Sequence, residues 1–126
     1  MTIVEIYANA EDAEHLGEIV NQIKAALTDQ VAETLQTERV DVHICSNLVA
    51  SSEGAAEVLV KVGSRLDTRR RALLPLYGAA VVEAWMCLRR DDSFTDEIRF
   101  ALNQQVTIIY TLAEGDAMIL DAVEEE

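Results

Sequence analysis

The chain has 126 residues, half of them hydrophobic, with 23 acidic against 10 basic side chains and a formal net charge of −13. This length suits one domain with a single core, and the apolar content excludes a disordered chain. Such an acidic protein would repel nucleic acid and anionic membranes at long range, so neither is expected as a partner. No apolar run reaches about eighteen residues, and residues 1–7 lack the charged start of a signal peptide. We therefore expect one soluble, cytoplasmic domain spanning residues 1–126.

The first half of the chain predicts the order strand, helix, strand, strand. Residues 3–7 form a short β-rich run and predict a first strand. Apolar residues then recur three or four positions apart over about 11–37, which predicts one amphipathic helix. Residues 40–45 alternate apolar and polar side chains, as in a half-buried strand. Serine, asparagine and glycine predict a loop over 46–55, and residues 58–62 are a third strand.

The second half predicts one long buried helix, followed by a C-terminal part for which a hairpin and a short helix are the alternatives. Residues 67–90 are apolar nearly all round, and Pro75 either kinks this helix or marks its true beginning. Two alternating runs in 95–112 favour a hairpin, with a short helix from Thr95 as the alternative, and 116–123 suggests a brief terminal helix. Together these elements predict an α+β fold: a β-α-β-β-α-β sandwich with two helices on one face of a mixed sheet, plus a C-terminal strand or hairpin.

Four of the ten basic residues are arginines that fall within seven positions, namely Arg65, Arg69, Arg70 and Arg71. Cations are unfavourable at the positive end of a helix dipole by about 0.3–1 kcal/mol each, unless an anion lies between them. Neighbouring helical residues point about a third of a turn apart, so at most two of the four, with Arg65 from the turn, converge on one point. A small carboxylate held by guanidinium groups and helix N–H groups is one interpretation. Ordinary ion pairs with some of the acids, within the chain or across a subunit boundary, are the other.

A second group of chemically capable residues lies on the predicted second strand. Asp41, His43 and Cys45 share one face, where they could bind a metal or form a Cys/His pair with an acid to orient the imidazole. Same-face residues stand nearly 7 Å apart at a rise of about 3.3 Å per residue, which is awkward for one metal ion. We therefore favour a polar or interfacial sheet face with a hydrogen-bonded histidine, and predict no metal site.

Other side chains that could carry chemistry are expected to be structural. Both cysteines are expected as buried thiols, Trp85 as part of the core and His15 at the surface of the first helix. Lys61 interrupts an apolar strand, and either extends to the sheet edge or joins Arg39 in the same anion site. No nucleotide-binding, nucleophile-elbow or zinc motif is present, so no cofactor is expected.

Two stretches resemble a known enzyme family. Residues 58–85, VLVKVGSRLDTRRRALLPLYGAAVVEAW, resemble the 5-carboxymethyl-2-hydroxymuconate isomerase branch of the tautomerase superfamily, in which a strand ending in a basic residue and glycine runs into an Arg-containing turn and a helix. Residues 38–46, ERVDVHICS, are similar to the second strand of that family, with Arg39 and His43 at its Arg and His positions. The resemblance implies a homotrimer whose sheets meet at the centre.

The resemblance also implies an activity, but the chain departs from the family at the catalytic position. The family isomerises small keto-enol carboxylates with an N-terminal proline as base, whereas here Met1 is followed by Thr2. A threonine amine exposed by removal of Met1 has a reference pKa of about 7.7–8.0, which still suits a base. The implied site has Thr2 as catalytic residue and four carboxylate ligands: Arg39, Lys61, Arg65 and Arg69.

Two other interpretations stay open. One is a non-catalytic, oligomeric small-anion-binding or assembly protein that keeps the fold without the proline. The other is an unrelated ferredoxin-like α+β domain, which would share the order of elements but not a trimeric centre.

Overall fold

The protein folds into a five-stranded sheet with helices packed on it, from segments with alternating and helical patterns of apolar residues. The computed structural model of the protein describes residues 2–32, 40–46, 58–64, 74–111 and 117–125. The strands are β1 (Thr2–Ala8), β2 (Val40–Cys45), β3 (Val58–Ser64), β4 (Val106–Thr111) and β5 (Ala117–Val123). The helices are α1 (Ala10–Glu18), α2 (Val20–Leu27), a π-helix (Thr28–Ala32), α3 (Leu74–Arg89) and α4 (Asp96–Leu102).

The sheet is mixed, and its strands lie in the order β2-β1-β3-β4-β5. Two pairs are parallel, β1 with β2 and β3 with β4, and the two pairs meet through the antiparallel contact of β1 with β3. Strand β5 adds to β4 in the antiparallel sense, with a register irregularity between Ile108 and Ile109. The predicted α+β class, with helices packed on a mixed sheet, is confirmed, although the described residues contain four α-helices and a π-helix rather than two helices.

The core lies between the helices and one face of the sheet. Alternate residues of the inner strands are fully buried there: Val4, Ile6, Ala8, Val58, Val60, Val62, Val106, Ile108 and Tyr110. Trp85 of α3 is buried among them as predicted, and its Nε1 donates to the carbonyl of Leu102 at 3.0 Å. The intervening strand residues point to the opposite face, which no described helix covers and which we call the open face. Among the described residues, no helix is long and apolar enough to cross a membrane.

The long first helix is interrupted, contrary to prediction. Its start is capped by Asn9, whose side chain accepts from the Asp12 N–H at 2.8 Å. The helical conformation is lost at Ile19, with φ −115° and ψ 22°, and its N–H bonds Leu16 in a tighter turn. Ile19 is buried and the apolar stripe continues through it to Ile23, so hydrophobic periodicity cannot reveal the break. Residues 33–37 of the predicted helix lie outside the described residues.

The predicted hairpin in 95–112 is wrong, and the alternative helix from Thr95 is right. Residues 96–102 form α4, because Thr95 accepts from the Ile98 N–H at 3.4 Å and two acids occupy the first turn. Burial follows a helical spacing through Ile98, Ala101 and Leu102, whereas Phe100 is 67% exposed. Strand β4 follows, as predicted for Tyr110 and its neighbours.

Two further boundaries differ from or refine the prediction. The terminal helix expected over 116–123 is wrong, because residues 117–123 are the strand β5, which completes the hydrogen bonding of β4. Pro75 lies in the first turn of the described α3, where its missing N–H costs no helical hydrogen bond. The earlier part predicted for this helix, residues 67–73, and the loop residues 47–55 lie outside the described residues.

One buried cation joins three separate parts of the fold. Arg89, at the end of α3, is 8% exposed, and its guanidinium donates to three main-chain carbonyls. Nε bonds Leu102 at 2.7 Å, Nη2 bonds Gln104 at 2.7 Å and Nη1 bonds Glu124 at 2.8 Å. The charged fork thereby holds the end of α4 and the end of β5 against α3.

Candidate functional site

The sheet register brings three separate chain segments together at the start of β1. Thr2 pairs with Val40, the first residue of β2, and with Ser64, the last residue of β3. This follows from the strand directions, since a parallel neighbour starts and an antiparallel neighbour ends at the same edge of the sheet. Arg39 and Arg65 lie outside the described residues, but each is the chain neighbour of one of these two partners of Thr2. We call this edge the β1-start edge.

Of the other two predicted ligands, only Lys61 is described, and it does not lie at the β1-start edge. Arg69 lies outside the described residues. Lys61 is described in β3, where it pairs with Glu5, three residues along the strand from the pair Thr2–Ser64. At about 3.3 Å per residue this separation is about 10 Å. Lys61 therefore belongs to a different group of side chains, on the open face.

A polar cluster occupies the open face across the first three strands of the sheet. We define the open-face cluster as Glu5, Tyr7, His43, Cys45 and Lys61. The Tyr7 hydroxyl donates to Glu5 Oε2 at 3.0 Å, and Lys61 Nζ lies 5.9 Å from the centroid of the Tyr7 ring. In the register, His43 and Lys61 lie on either side of Glu5. The cluster is therefore a cross-strand arrangement of polar side chains in which Lys61 pairs with a carboxylate and lies over an aromatic ring.

The surroundings of Tyr7 determine what its hydroxyl can do. Burial raises the pKa of Tyr7 to about 12, and the hydrogen bond to Glu5, the charge of Glu5 and the nearby Cys45 act in the same direction. Each of these effects favours the neutral phenol over a phenolate. Tyr7 is thus a hydrogen-bond donor at neutral pH and not a base.

The second strand carries Asp41, His43 and Cys45 on one face, as predicted. Asp41 Oδ1 lies 3.9 Å from Lys24 Nζ, which ties the start of β2 to α2. In the described part of the chain, no group of three or more His, Cys, Asp or Glu residues is placed to hold a metal ion. Successive members of the set Asp41, His43 and Cys45 lie two residues apart along β2, about 7 Å at a rise of about 3.3 Å per residue.

The expectation of two buried thiols is wrong. Cys45 is half-buried and free, whereas Cys87 is exposed, with its Sγ 3.7 Å from Glu83 Oε1. Although the sequence of α3 is nearly all apolar, one side of the helix is exposed to solvent. Alanine and cysteine are tolerated there, so the sequence does not reveal this side. The packing of α2, the π-helix and β5 against α3 decides which side that is.

His15 also differs from expectation, since it is half-buried. Its Nδ1 is buried without a hydrogen-bond partner among the described residues. It lines a cleft of about 360 Å³ where α1 meets α4, together with Asp12 and Phe100. Burial raises the pKa of Asp12, against the opposing effect of its hydrogen bond from Asn9. Sequence reasoning missed this cleft because nothing local predicts that α1 packs against α4.

No protein-family model matches the chain, and no curated protein matches it in sequence.

Proposed function

We propose that the protein is tautomerase-like and binds a small keto-enol carboxylate at the β1-start edge. The observation that carries this proposal is the pairing of Thr2 with Val40 and Ser64, the chain neighbours of Arg39 and Arg65. Two arginines and the proposed base thus come from three segments that converge on one edge. The resemblance of residues 38–46 and 58–85 to the isomerase family points to the same edge.

The proposed chemistry moves one proton between the enol oxygen and the alkene carbon next to the carbon that bears this oxygen. The α-amino group of Thr2, free once Met1 is removed, accepts the proton from one position and returns it to the other, so no co-reactant is consumed. An amine with a reference pKa of about 7.7–8.0 is partly neutral near pH 7.5, as this role requires. Arg39, Arg65 and Arg69 would bind the carboxylate through paired N–H donors.

Lys61 has a different place in this proposal. Because Lys61 pairs with Glu5 and lies over the Tyr7 ring, its positive charge is partly compensated. It also lies about 10 Å along the sheet from Thr2. We therefore expect Lys61 to organise the open face rather than to contact the same carboxylate as the arginines.

The strand directions support the finer fold that the resemblance implies. Strands β1 and β2 and strands β3 and β4 are each a parallel pair joined through helices, and the two units meet antiparallel. This arrangement suits the proposed β-α-β-β-α-β sandwich. The open face exposes Ile3 by 37% and Ile119 by 74%, and we propose that it is buried in a homotrimer, to be tested by light scattering.

The second candidate is a non-catalytic oligomeric protein that binds a small anion or serves assembly. The observation that favours it is Thr2 itself, since a primary amine stands where the family has proline. In this case the arginines still bind a carboxylate, but the substrate is not turned over.

The test follows enol-to-keto conversion of phenylenolpyruvate and 2-hydroxymuconate by ¹H NMR, on protein whose loss of Met1 is verified by intact mass. Turnover by the native protein is expected, and Arg65→Ala should lower kcat/KM about ten- to a hundredfold, as for one lost charge-assisted hydrogen bond of about 1.5–3 kcal/mol. The control is Arg90→Ala, because Arg90 is exposed and its Nη1 lies 3.4 Å from Glu83. If only the Thr2→Pro variant turned the substrate over, the interpretation as a non-catalytic binding protein would be supported. If the native protein and the Thr2→Pro variant were both inactive, or if Met1 were retained, the interpretation as an enzyme would be contradicted.

A further inference from the structure

A second cleft is lined by residues other than those of the β1-start edge and has a different chemical character. It opens between α2, the π-helix, the end of α3 and the turn that follows α3, with a volume of about 350 Å³. Its apolar lining includes Ala26, Leu88 and Phe94, and its polar lining includes Asp29, Cys87 and Asp91. Ligand sites in proteins have volumes of about 300–1,000 Å³ and combine apolar walls with a few polar groups.

The floor of this cleft is fixed by the core. Leu88 is only 5% exposed, and Ala26 and Phe94 are half-buried and pack against the buried cluster. A ring or short alkyl chain that entered the cleft would thus meet apolar surface already held in place. The phenyl face of Phe94 also suits a positive charge, through its π-electrons.

The cleft carries negative charge, and one of its carboxylates is held in place by hydrogen bonds. Asp91 Oδ1 accepts from the Ser93 N–H at 2.9 Å and from its hydroxyl at 2.6 Å. These bonds lower the pKa of Asp91, so its carboxylate is ionised at neutral pH and still has acceptor positions free. Asp29 contributes the second carboxylate from the π-helix, a rare geometry that recurs at functional sites. The described residues that line the cleft include no lysine or arginine.

We propose that this cleft binds a small organic cation, an ammonium group carried on a short apolar or aromatic body. The carboxylates of Asp29 and Asp91 would bind the ammonium group, and Leu88 and Phe94 would contact the apolar body. The described residues that line the cleft include neither Thr2 nor an arginine, so we expect binding there not to depend on the site of the proposed function.

The test uses benzylammonium as the probe and benzyl alcohol as its uncharged match, each titrated into the full chain and followed by ¹H–¹⁵N NMR. Benzylammonium should shift the amide signals of residues 22–30 and 87–94, and benzyl alcohol should bind at least fivefold more weakly. Asp91→Asn and Asp29→Asn should each weaken benzylammonium about two- to fivefold, as for a partly exposed ion pair. Asp29 is exposed, so its variant remains informative if the change at Asp91 disturbs the Ser93 turn.

The matched control is Asp92→Asn, which removes the same charge next to the cleft from a residue that does not line it. A second readout is alkylation of Cys87 in a Cys45→Ser background, which benzylammonium should slow. Equal binding of benzyl alcohol would overturn the proposal in favour of a merely apolar cleft. An equal loss in Asp92→Asn would show only an effect of net charge, and shifts away from the cleft would exclude the site. Unchanged affinity in Arg65→Ala would separate the site from the proposed carboxylate site.

Discussion

Replacing Arg89 by methionine tests whether one buried guanidinium holds the helical layer to the end of the sheet. Methionine keeps much of the apolar stem but removes the donors to Leu102, Gln104 and Glu124. The Leu102 carbonyl keeps the Trp85 indole as a donor, and the Glu124 carbonyl belongs to an exposed residue that water can reach. Gln104 is 8% exposed, so its carbonyl is left buried without the Arg89 donor.

The expected loss follows from these three carbonyls. An unsatisfied buried acceptor costs about 1–3 kcal/mol, and each of the other two hydrogen bonds contributes about 0.5–1.5 kcal/mol net. We therefore expect Arg89→Met to lower the free energy of unfolding by about 3 kcal/mol, a large part of the 5–15 kcal/mol typical of a domain. Arg89→Lys should lose less, because it keeps the charge and a single donor nitrogen but not the planar fork.

The assay is urea denaturation at one fixed protein concentration, since assembly would make stability depend on concentration. The midpoint should fall with little change in the slope. Arg90→Met is the control, because Arg90 is the exposed chain neighbour and should change stability by less than about 0.5 kcal/mol. A loss below about 1 kcal/mol in Arg89→Met, or equal losses in the variants of Arg89 and Arg90, would refute the assigned role.

Two further predictions concern packing and pH. A Cβ added at Gly78 would lie 3.2 Å from the Cβ and from the carbonyl oxygen of Leu120. Gly78→Ala should therefore lower the thermal midpoint, because overpacking costs about 1–3 kcal/mol, more than the gain from alanine as a better helix former. An unchanged or higher midpoint would contradict this close approach. The Tyr7 phenol, with its pKa of about 12, should ionise later than a free tyrosine in an ultraviolet titration, and Glu5→Gln should bring it back towards 10. Because the pKa is raised on folding, Tyr7 contributes stability below about pH 10 that is lost as the pH rises towards 12; if Glu5→Gln left the titration unchanged, Glu5 would have no part in the shift.

Some elements could be predicted from the sequence, because their pattern of apolar residues follows directly from which side chains are buried. The alternation in residues 40–45 predicts β2 with the bounds that the structure has. The apolar stripe predicts which side of the first helical region is buried, and the size and apolarity of Trp85 predict its place in the core. These properties depend on the period of side chains along one segment, which is a local quantity.

Where elements break and which segments meet depends on contacts between distant parts of the chain. Burial at Ile98 and Leu102 fits both a strand and a helix, and the cap at Thr95 with the packing of α4 on α1 settles it. Strand β5 exists because β4 offers it a partner, which no local pattern of residues 117–123 reveals. The convergence at Thr2 likewise depends on strand direction and register. Hydrogen bonds between strands pair residues far apart in the chain, so the candidate site becomes visible only once the sheet is assembled.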